Sequence, residues 1–284
     1  MSKRKSIETP HIQKIRRKKK LQKRNKNILF SFLFLVLFVG LLVLLNQDFA
    51  RIKSVEIKDS GSIDANLLKQ ETEKILEERM LLGILPGDSK FLLPKNKIED
   101  RLSVEFTKIQ EIEFKKRGGK LVISVLEYDP LFVWCNSLEE DMEECFYTSE
   151  EGYIYEEAPT IIGSVFIILD SSKTTEKIEK GIGDFVLGEE DFEIIKKHII
   201  VFDTLGLKSR RISFGDEKQA ELVFSYYDNF SNMYFAYDGG WEDRLEALSS
   251  ALGTEPLSSS KKEYFANLEY LDIRFDDKVY YKFR

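Results

Sequence analysis

Cysteine and histidine are nearly missing from this chain of 284 residues, which holds two of each: Cys135, Cys145, His11 and His198. Two cysteines are too few for a disulfide-scaffolded fold or a four-ligand zinc site. The histidines fall in unrelated segments, which argues against metal-based or histidine-based chemistry. The sequence also lacks G-x-S-x-G, the phosphate-cradling G-x-x-x-x-G-K-[ST] and H-E-x-x-H. Gly181-Ile182-Gly183 has no third glycine and reads as a loop. The acidic run Glu139–Glu144 lacks the ordered ligand spacing of an EF-hand and reads as a solvated loop. His198, in His-Ile-Ile-Val-Phe, reads as a helix filler rather than a ligand. No cofactor is expected, and no enzymatic role.

Charge is present but unevenly spread. Residues 1–27 carry twelve Lys or Arg against one acid, Glu8, a balance of +11. The formal net charge is −6, so the remaining residues carry −17. Beside the basic segment, Ile28 to Leu45 reads ILFSFLFLVLFVGLLVLL, without charge or proline. Eighteen residues at 1.5 Å each make roughly 27 Å, about the hydrocarbon thickness of a bilayer. Positive charge on the N-terminal flank sets the N-terminus in the cytoplasm and the bulk outside, a single-pass type II topology. The run is longer than a signal-peptide core and no A-x-A-like site follows it. The basic tail is accounted for by orientation and by anionic lipid, and no nucleic-acid partner is expected.

Beyond the apolar run, residues 52–58 alternate as a half-buried strand. Asp64 is placed to cap a helix from Ala65 to about Arg79, and a short helix is expected from Pro94 to Leu102. Strands Ile109–Phe114 and Leu121–Leu126 flank Arg117-Gly118-Gly119, a hairpin signal. A three-stranded sheet backed by two helices is the natural packing of this order.

The second region alternates less simply. LFVWC, ending at Cys135, and the stretch from Cys145 read as strands, Ile161–Leu169 as a core strand, and Ser171–Lys180 as a polar loop. A helix is expected at Glu189–Thr204, followed by strands Arg210–Phe214, Ala220–Tyr226 and Met233–Tyr237. A turn at Asp238-Gly239-Gly240 then leads into a helix from Trp241 to Leu252. Ser258–Lys262 reads as a linker. Leu268–Phe275 and Lys278–Arg284 make a final hairpin around Asp276-Asp277. Cys135 and Cys145 end one strand and begin the next, outside the cytoplasm. They are either a disulfide or two separate buried thiols.

These pieces resemble the FtsQ/DivIB family of bacterial cell division proteins, which contain a POTRA domain. The likeness is carried by Val55-Glu56-Ile57 after the span, by Ile109–Phe114, and by the run from Lys120 to Pro130, which matches T-L-x-I-x-V-x-E-R-x-P. Glu127 and Pro130 are kept; Lys120 and Tyr128 replace the usual Thr and Arg. Glu150–Tyr155 fits a D-x-x-G-x-V/F turn, and Tyr270-Leu271-Asp272-Ile273-Arg274-Phe275 is close to Y-I-D-L-R-F/Y. Departures from the family spacing fall at 137–144 and 171–180.

The resemblance implies an α+β chain with a cytoplasmic basic tail (1–27), a transmembrane helix (28–46), a POTRA domain (51–128) and a mixed, mostly antiparallel β domain (129–284). It implies a non-enzymatic scaffold at the division site, which recruits and regulates septal peptidoglycan machinery through partners resembling FtsB and FtsL. Two other readings stay open: a POTRA-type polypeptide-binding factor in secretion, and a membrane-tethered cell-wall enzyme. The partner surface is expected on the last hairpin, at Tyr270, Asp272, Arg274, Val279, Tyr280, Tyr281, Lys282 and Arg284. Nothing follows Arg284 in this sequence, so its strand is expected at a free edge where a partner strand adds, with Tyr280 and Arg284 as anchors.

Overall fold

The computed structural model describes residues 10–80, 85–136, 144–159, 165–176, 178–226, 229–255, 257–258 and 267–284. The start of the expected strand at Ile161, nearly all of the acidic run after Asn136 and most of the Ser258–Lys262 linker lie outside the described residues. The protein is mixed α+β, with two compact units: 1–102 with 111–126, and 103–110 with 127–284.

Helix α1 (Pro10–Leu45) runs without a break from the basic segment through the apolar one. Its portion Gln22–Leu45 is long and apolar enough to cross a membrane, and none of it is buried against protein. A membrane anchor and a signal sequence share this character. Only Asn46 and Gln47 separate α1 from a single 3-10 turn at Asp48–Ala50.

In the first unit, β1 (Ser54–Asp59) leads into α2 (Ala65–Glu77), where Asp64 accepts the Asn66 N–H at 2.8 Å. This is an N-cap that supplies one of the helix's orphan donors with a partner. A small ladder of β2 (Arg79–Met80) and β3 (Leu85–Pro86) follows, then α3 (Lys95–Glu105). Strands β4 (Ile109–Arg117) and β5 (Lys120–Glu127) form a hairpin around Gly118 and Gly119, both with positive φ, which glycine adopts without steric cost. The sheet order is β1-β5-β4, with β1 parallel to β5. Leu68 and Ile75 of α2, Ile98 and Leu102 of α3, and Val55, Ile112, Leu121 and Ile123 of the sheet are buried together in this unit's core.

The second unit is built on nine strands: β6 (Phe132–Cys135), β7 (Cys145–Thr148), β8 (Ile154–Glu157), β9 (Ile167–Lys173), β10 (Lys208–Gly215), β11 (Gln219–Tyr226), β12 (Asn229–Ala236), β13 (Leu268–Phe275) and β14 (Lys278–Phe283). Their spatial order is β14-β13-β12-β11-β10-β9-β6-β7-β8. Pairs β12–β13, β10–β9 and β9–β6 are parallel and the rest antiparallel. Helices α4 (Glu189–Thr204) and α5 (Trp241–Leu252) cover one face. Phe192, Ile195 and Phe202 from α4, and Leu245, Leu248 and Leu252 from α5, close a core over Trp134, Leu169, Ile212, Phe214, Leu222, Phe224, Met233, Phe235, Leu271 and Ile273. Those strand positions alternate with residues on the opposite face, the period-2 geometry of a pleated strand.

The polar stretch after Leu169 departs from the loop expected there. Ser171, Ser172 and Lys173 continue β9, which pairs with β10 as far as Gly215 opposite Lys173. The physical reason is that Asp170, though buried, is fully engaged. Its Oδ2 accepts Arg211 Nε and Ser213 Oγ, each at 2.9 Å, and its Oδ1 accepts the Ser172 N–H at 2.8 Å. A strand rich in polar residues is stable when the adjacent strand supplies the partners. Cys135 and Cys145 sit opposite each other on β6 and β7 and are joined in a disulfide.

Candidate functional site

The face of the large sheet turned away from α4 and α5 carries a continuous row of side-chain positions. Following the register from strand to strand, Cys145 faces Cys135, then Asp170, Ser213, Glu221, Tyr234, Asp272 and Tyr280. The row crosses eight strands. It is buried at the disulfide end, half-buried at Glu221 and Tyr234, and exposed at Tyr280. The parallel row beside it ends in Asn232, Tyr270 and Lys282.

On the half-buried part of this face the charges are matched. Lys173 Nζ is 2.6 Å from Glu221, a hydrogen bond that holds the ammonium above its usual range. Arg274 donates to Asp272 through Nε at 2.9 Å and Nη2 at 2.6 Å, and to Gln219 Oε1 at 2.9 Å. The bond to Asp272 raises the guanidinium's pKa. The same guanidinium stands 5.4 Å from the centre of the Tyr234 ring, within cation–π range, and Tyr234 meets Tyr270 edge-on at 5.9 Å. Lys173, Glu221, Tyr234 and Arg274 line a shallow depression of about 300 Å³, whose rim is the β10–β11 turn at Asp216 and Glu217.

Beyond the depression lies β14, which pairs only with β13 among the described residues. Tyr280 is 49% exposed and packs edge-on against the exposed Phe275 at 5.1 Å. Lys282 pairs with Glu269 at 2.7 Å, which raises the lysine's pKa. Val279 and Phe283 turn to the other face and pack on the core. Tyr281, opposite Leu271, shares that side and stays exposed.

Arg284 is exposed and is also tied to its own sheet. Its Nη2 donates to the Phe230 carbonyl at 2.9 Å, and its own N–H donates to the Asn267 carbonyl at 2.7 Å. Asp272 is buried and its carboxylate is occupied by Arg274.

Among known proteins, no family model and no curated relative matches this sequence. The arrangement is a charge-matched sheet face that ends at an edge strand. Its salt bridges are internal, Tyr280 and Phe275 are exposed rings beside it, and its last strand is unpaired on one side among the described residues.

The residue that fixes this hairpin in place is one that the sequence pattern does not pick out. Arg244, in the first turn of α5, is 5% exposed. Its Nη2 bonds to Asp238 and to the Gly239 carbonyl, the latter at 3.0 Å, while Nη1 reaches Asp276 at 3.2 Å. It thereby ties the turn before α5 to the tip of the β13–β14 hairpin. A cation near a helix N-terminus opposes the helix dipole. That local mismatch is the one sequence signal that Arg244 is held by acids from elsewhere.

Proposed function

We propose that the protein is a membrane-anchored, non-enzymatic scaffold of bacterial cell division, of the FtsQ/DivIB kind. Its N-terminus is cytoplasmic; the part of the first unit that follows α1, and the whole second unit, are extracytoplasmic. The first unit corresponds to a POTRA domain, with the order strand, helix, helix, strand, strand. The second receives partners resembling FtsB and FtsL and brings them to the septal peptidoglycan machinery. The observation that carries this reading is the edge of β14, unpaired among the described residues, with Tyr280 and Phe275 beside it. An unpaired strand offers its backbone N–H and C=O groups to an incoming strand, and aromatic side chains at such an edge supply contact area at low entropic cost. The apolar stretch of α1 beside the basic N-terminal segment supports the anchored topology.

The test uses the full chain in its host membrane. Depletion should give filamentous cells with arrested septa. Deleting residues 278–284, or changing Tyr280→Asp, should abolish capture of the FtsB-like partner while near-native circular dichroism and thermal melting show that the unit remains folded. Normal septation on depletion, or undiminished capture by a folded edge mutant, removes the proposal.

A further inference from the structure

The membrane-proximal end of the first unit carries apolar and basic groups that the docking surface does not use. The segment after α1 leaves no slack. Asn46 N–H bonds back to the Leu42 and Val43 carbonyls, Gln47 to Leu44, Ala50 to Gln47 and Arg51 to Asp48. Four residues at about 2 Å rise each put Phe49 roughly 8 Å beyond Leu45. The headgroup layer beyond a hydrocarbon core is about 5–7 Å deep on each side. Phe49 therefore leaves α1 at the outer margin of the headgroup layer, within reach of it by the length of its own side chain.

A second segment is brought to the same level by backbone pairing. Arg51 pairs with Ser89 in antiparallel register, Ile52 N–H donates to the Asp88 carbonyl at 2.7 Å, and Lys90 N–H donates to the Ala50 carbonyl at 2.8 Å. Phe91 follows directly on Lys90, which is bonded to Ala50, and Phe49 directly precedes Ala50, so the two segments carrying the rings are tied together next to them. Phe49 is 60% exposed, Phe91 66% and Leu92 43%. Three large apolar side chains thus stand in the open at one end of the unit, where water would otherwise cover them.

Cations ring them. Lys90 Nζ donates to the Phe49 carbonyl at 2.7 Å, and Lys116 Nζ bonds to the Lys90 carbonyl. The hairpin tip at Gly119 lies against Lys90 and Lys53, and Lys53 N–H donates to the Gly119 carbonyl at 2.8 Å. Lys53, Lys90 and Lys116 form no ion pair among the described residues. Of the acids in the same segments, Asp88 is taken by Arg51 at 2.8 Å, and Asp48 lies in the 3-10 turn.

We propose that this end of the first unit is a lipid-binding foot. Phe49, Phe91 and Leu92 insert at the headgroup level of the outer leaflet, and Lys53, Lys90 and Lys116 engage anionic headgroups around them. Interfacial apolar side chains rimmed by lysine are the combination that binds an anionic bilayer surface. The inference rests on the reading of α1 as a membrane span. It adds that the unit lies on the bilayer and does not stand free of it.

The experiment places the full chain, as Phe91→Trp, in nanodiscs of phosphatidylcholine with one-third phosphatidylglycerol, with or without bromine on the acyl chains. The fluorescence added by the new tryptophan, over that of the unaltered chain, should fall at least twofold in brominated discs. Raising salt from about 50 mM to about 500 mM should relieve much of that quenching, as screening weakens surface attraction. Adding Lys90→Glu and Lys116→Glu should relieve it at low salt. The salt arm gives the same answer without touching residues that bond to backbone carbonyls. A chain that co-purifies with discs but shows equal added fluorescence in both lipids overturns the foot and leaves the anchor standing. A chain that does not enter discs overturns both.

Discussion

Arg244 Nη1 lies 3.2 Å from Asp276 Oδ1, and through that contact a buried cation on α5 holds the tip of the β13–β14 hairpin. The same guanidinium satisfies Asp238 and two backbone carbonyls, those of Gly239 and Arg274. Arg244→Ala removes the one group that joins two turns, while the acids it leaves behind are solvent-accessible. The expected cost is about 2 kcal/mol, the range for losing charge-assisted hydrogen bonds without stranding a buried charge. Hydrogen exchange should show the loss concentrated in residues 268–283. A uniform loss across both units would count against this role.

His198 is buried against Phe202, Phe235 and Trp241, with Nδ1 2.8 Å from the Ile194 carbonyl. Burial, with the nearby positive charge of Arg244 adding to it, pushes its pKa down from 6.5 to about 4. The folded state therefore holds the neutral ring, whereas the unfolded chain takes up a proton below about 6.5. Stability is full above that pH and falls as pH drops from 6.5 toward 4, by about 3 kcal/mol once both values are passed. Denaturant melts at pH 7.5 and pH 4.5 should differ in the unaltered chain and differ much less in His198→Leu. An equal difference in both proteins would assign the effect to carboxylates.

Gly152 has φ +81°, and a Cβ placed on it would meet the Phe192 ring at 3.0 Å. Gly152→Ala combines left-handed backbone strain with intrusion on a core aromatic. Each contributes about 1–2 kcal/mol, so a loss of about 2–4 kcal/mol is expected by chemical denaturation. Gly181→Ala, where a Cβ meets nothing within 4 Å, is the matched control and should change stability little.

The Cys135–Cys145 disulfide closes a loop of sequence separation 10. In the chain-entropy account a loop of that size stabilises by about 2.5–3 kcal/mol. Reduction, or Cys135→Ala with Cys145→Ala, should lower the unfolding midpoint accordingly. Partner capture at β14 should persist at temperatures where the unit remains folded, because five strands stand between β6, which carries Cys135, and β14, which carries Tyr280.

Much of the fold was legible where the signal is local. The helix from Glu189 to Thr204 follows Gly188, and that from Trp241 to Leu252 follows Gly240; both have the read bounds because the glycines and apolar spacing lie in the chain itself. The Asp64 cap and the glycine hairpin at 118–119 are legible for the same reason. Ser171–Lys173 misled because the bonds that make a strand of them come from β10, some forty residues on. The placement of β9 between β6 and β10 was invisible, since two of its partners are parallel and distant in sequence. At the candidate site the alternation of the last strand was readable. That Asp272 is engaged by Arg274, and that Arg284 bonds to the Phe230 carbonyl, was not, because Phe230 and the Asp272–Arg274 geometry are set only by folding.

Strand β14 is six residues long, from Lys278 to Phe283. At about 3.4 Å per residue it presents roughly 20 Å of edge. Every second residue turns its backbone groups outward in such a ladder, so an added strand gains about six main-chain hydrogen bonds. Those are worth roughly 3–9 kcal/mol net, against an association cost of about 4–15 kcal/mol. On the proposed docking, the backbone alone would bring an incoming segment to the edge of binding and no further, and the side-chain contacts around Tyr280 would decide whether it stays. An edge of this length favours an assembly that forms and dissolves, with residence time tuned by very few side chains.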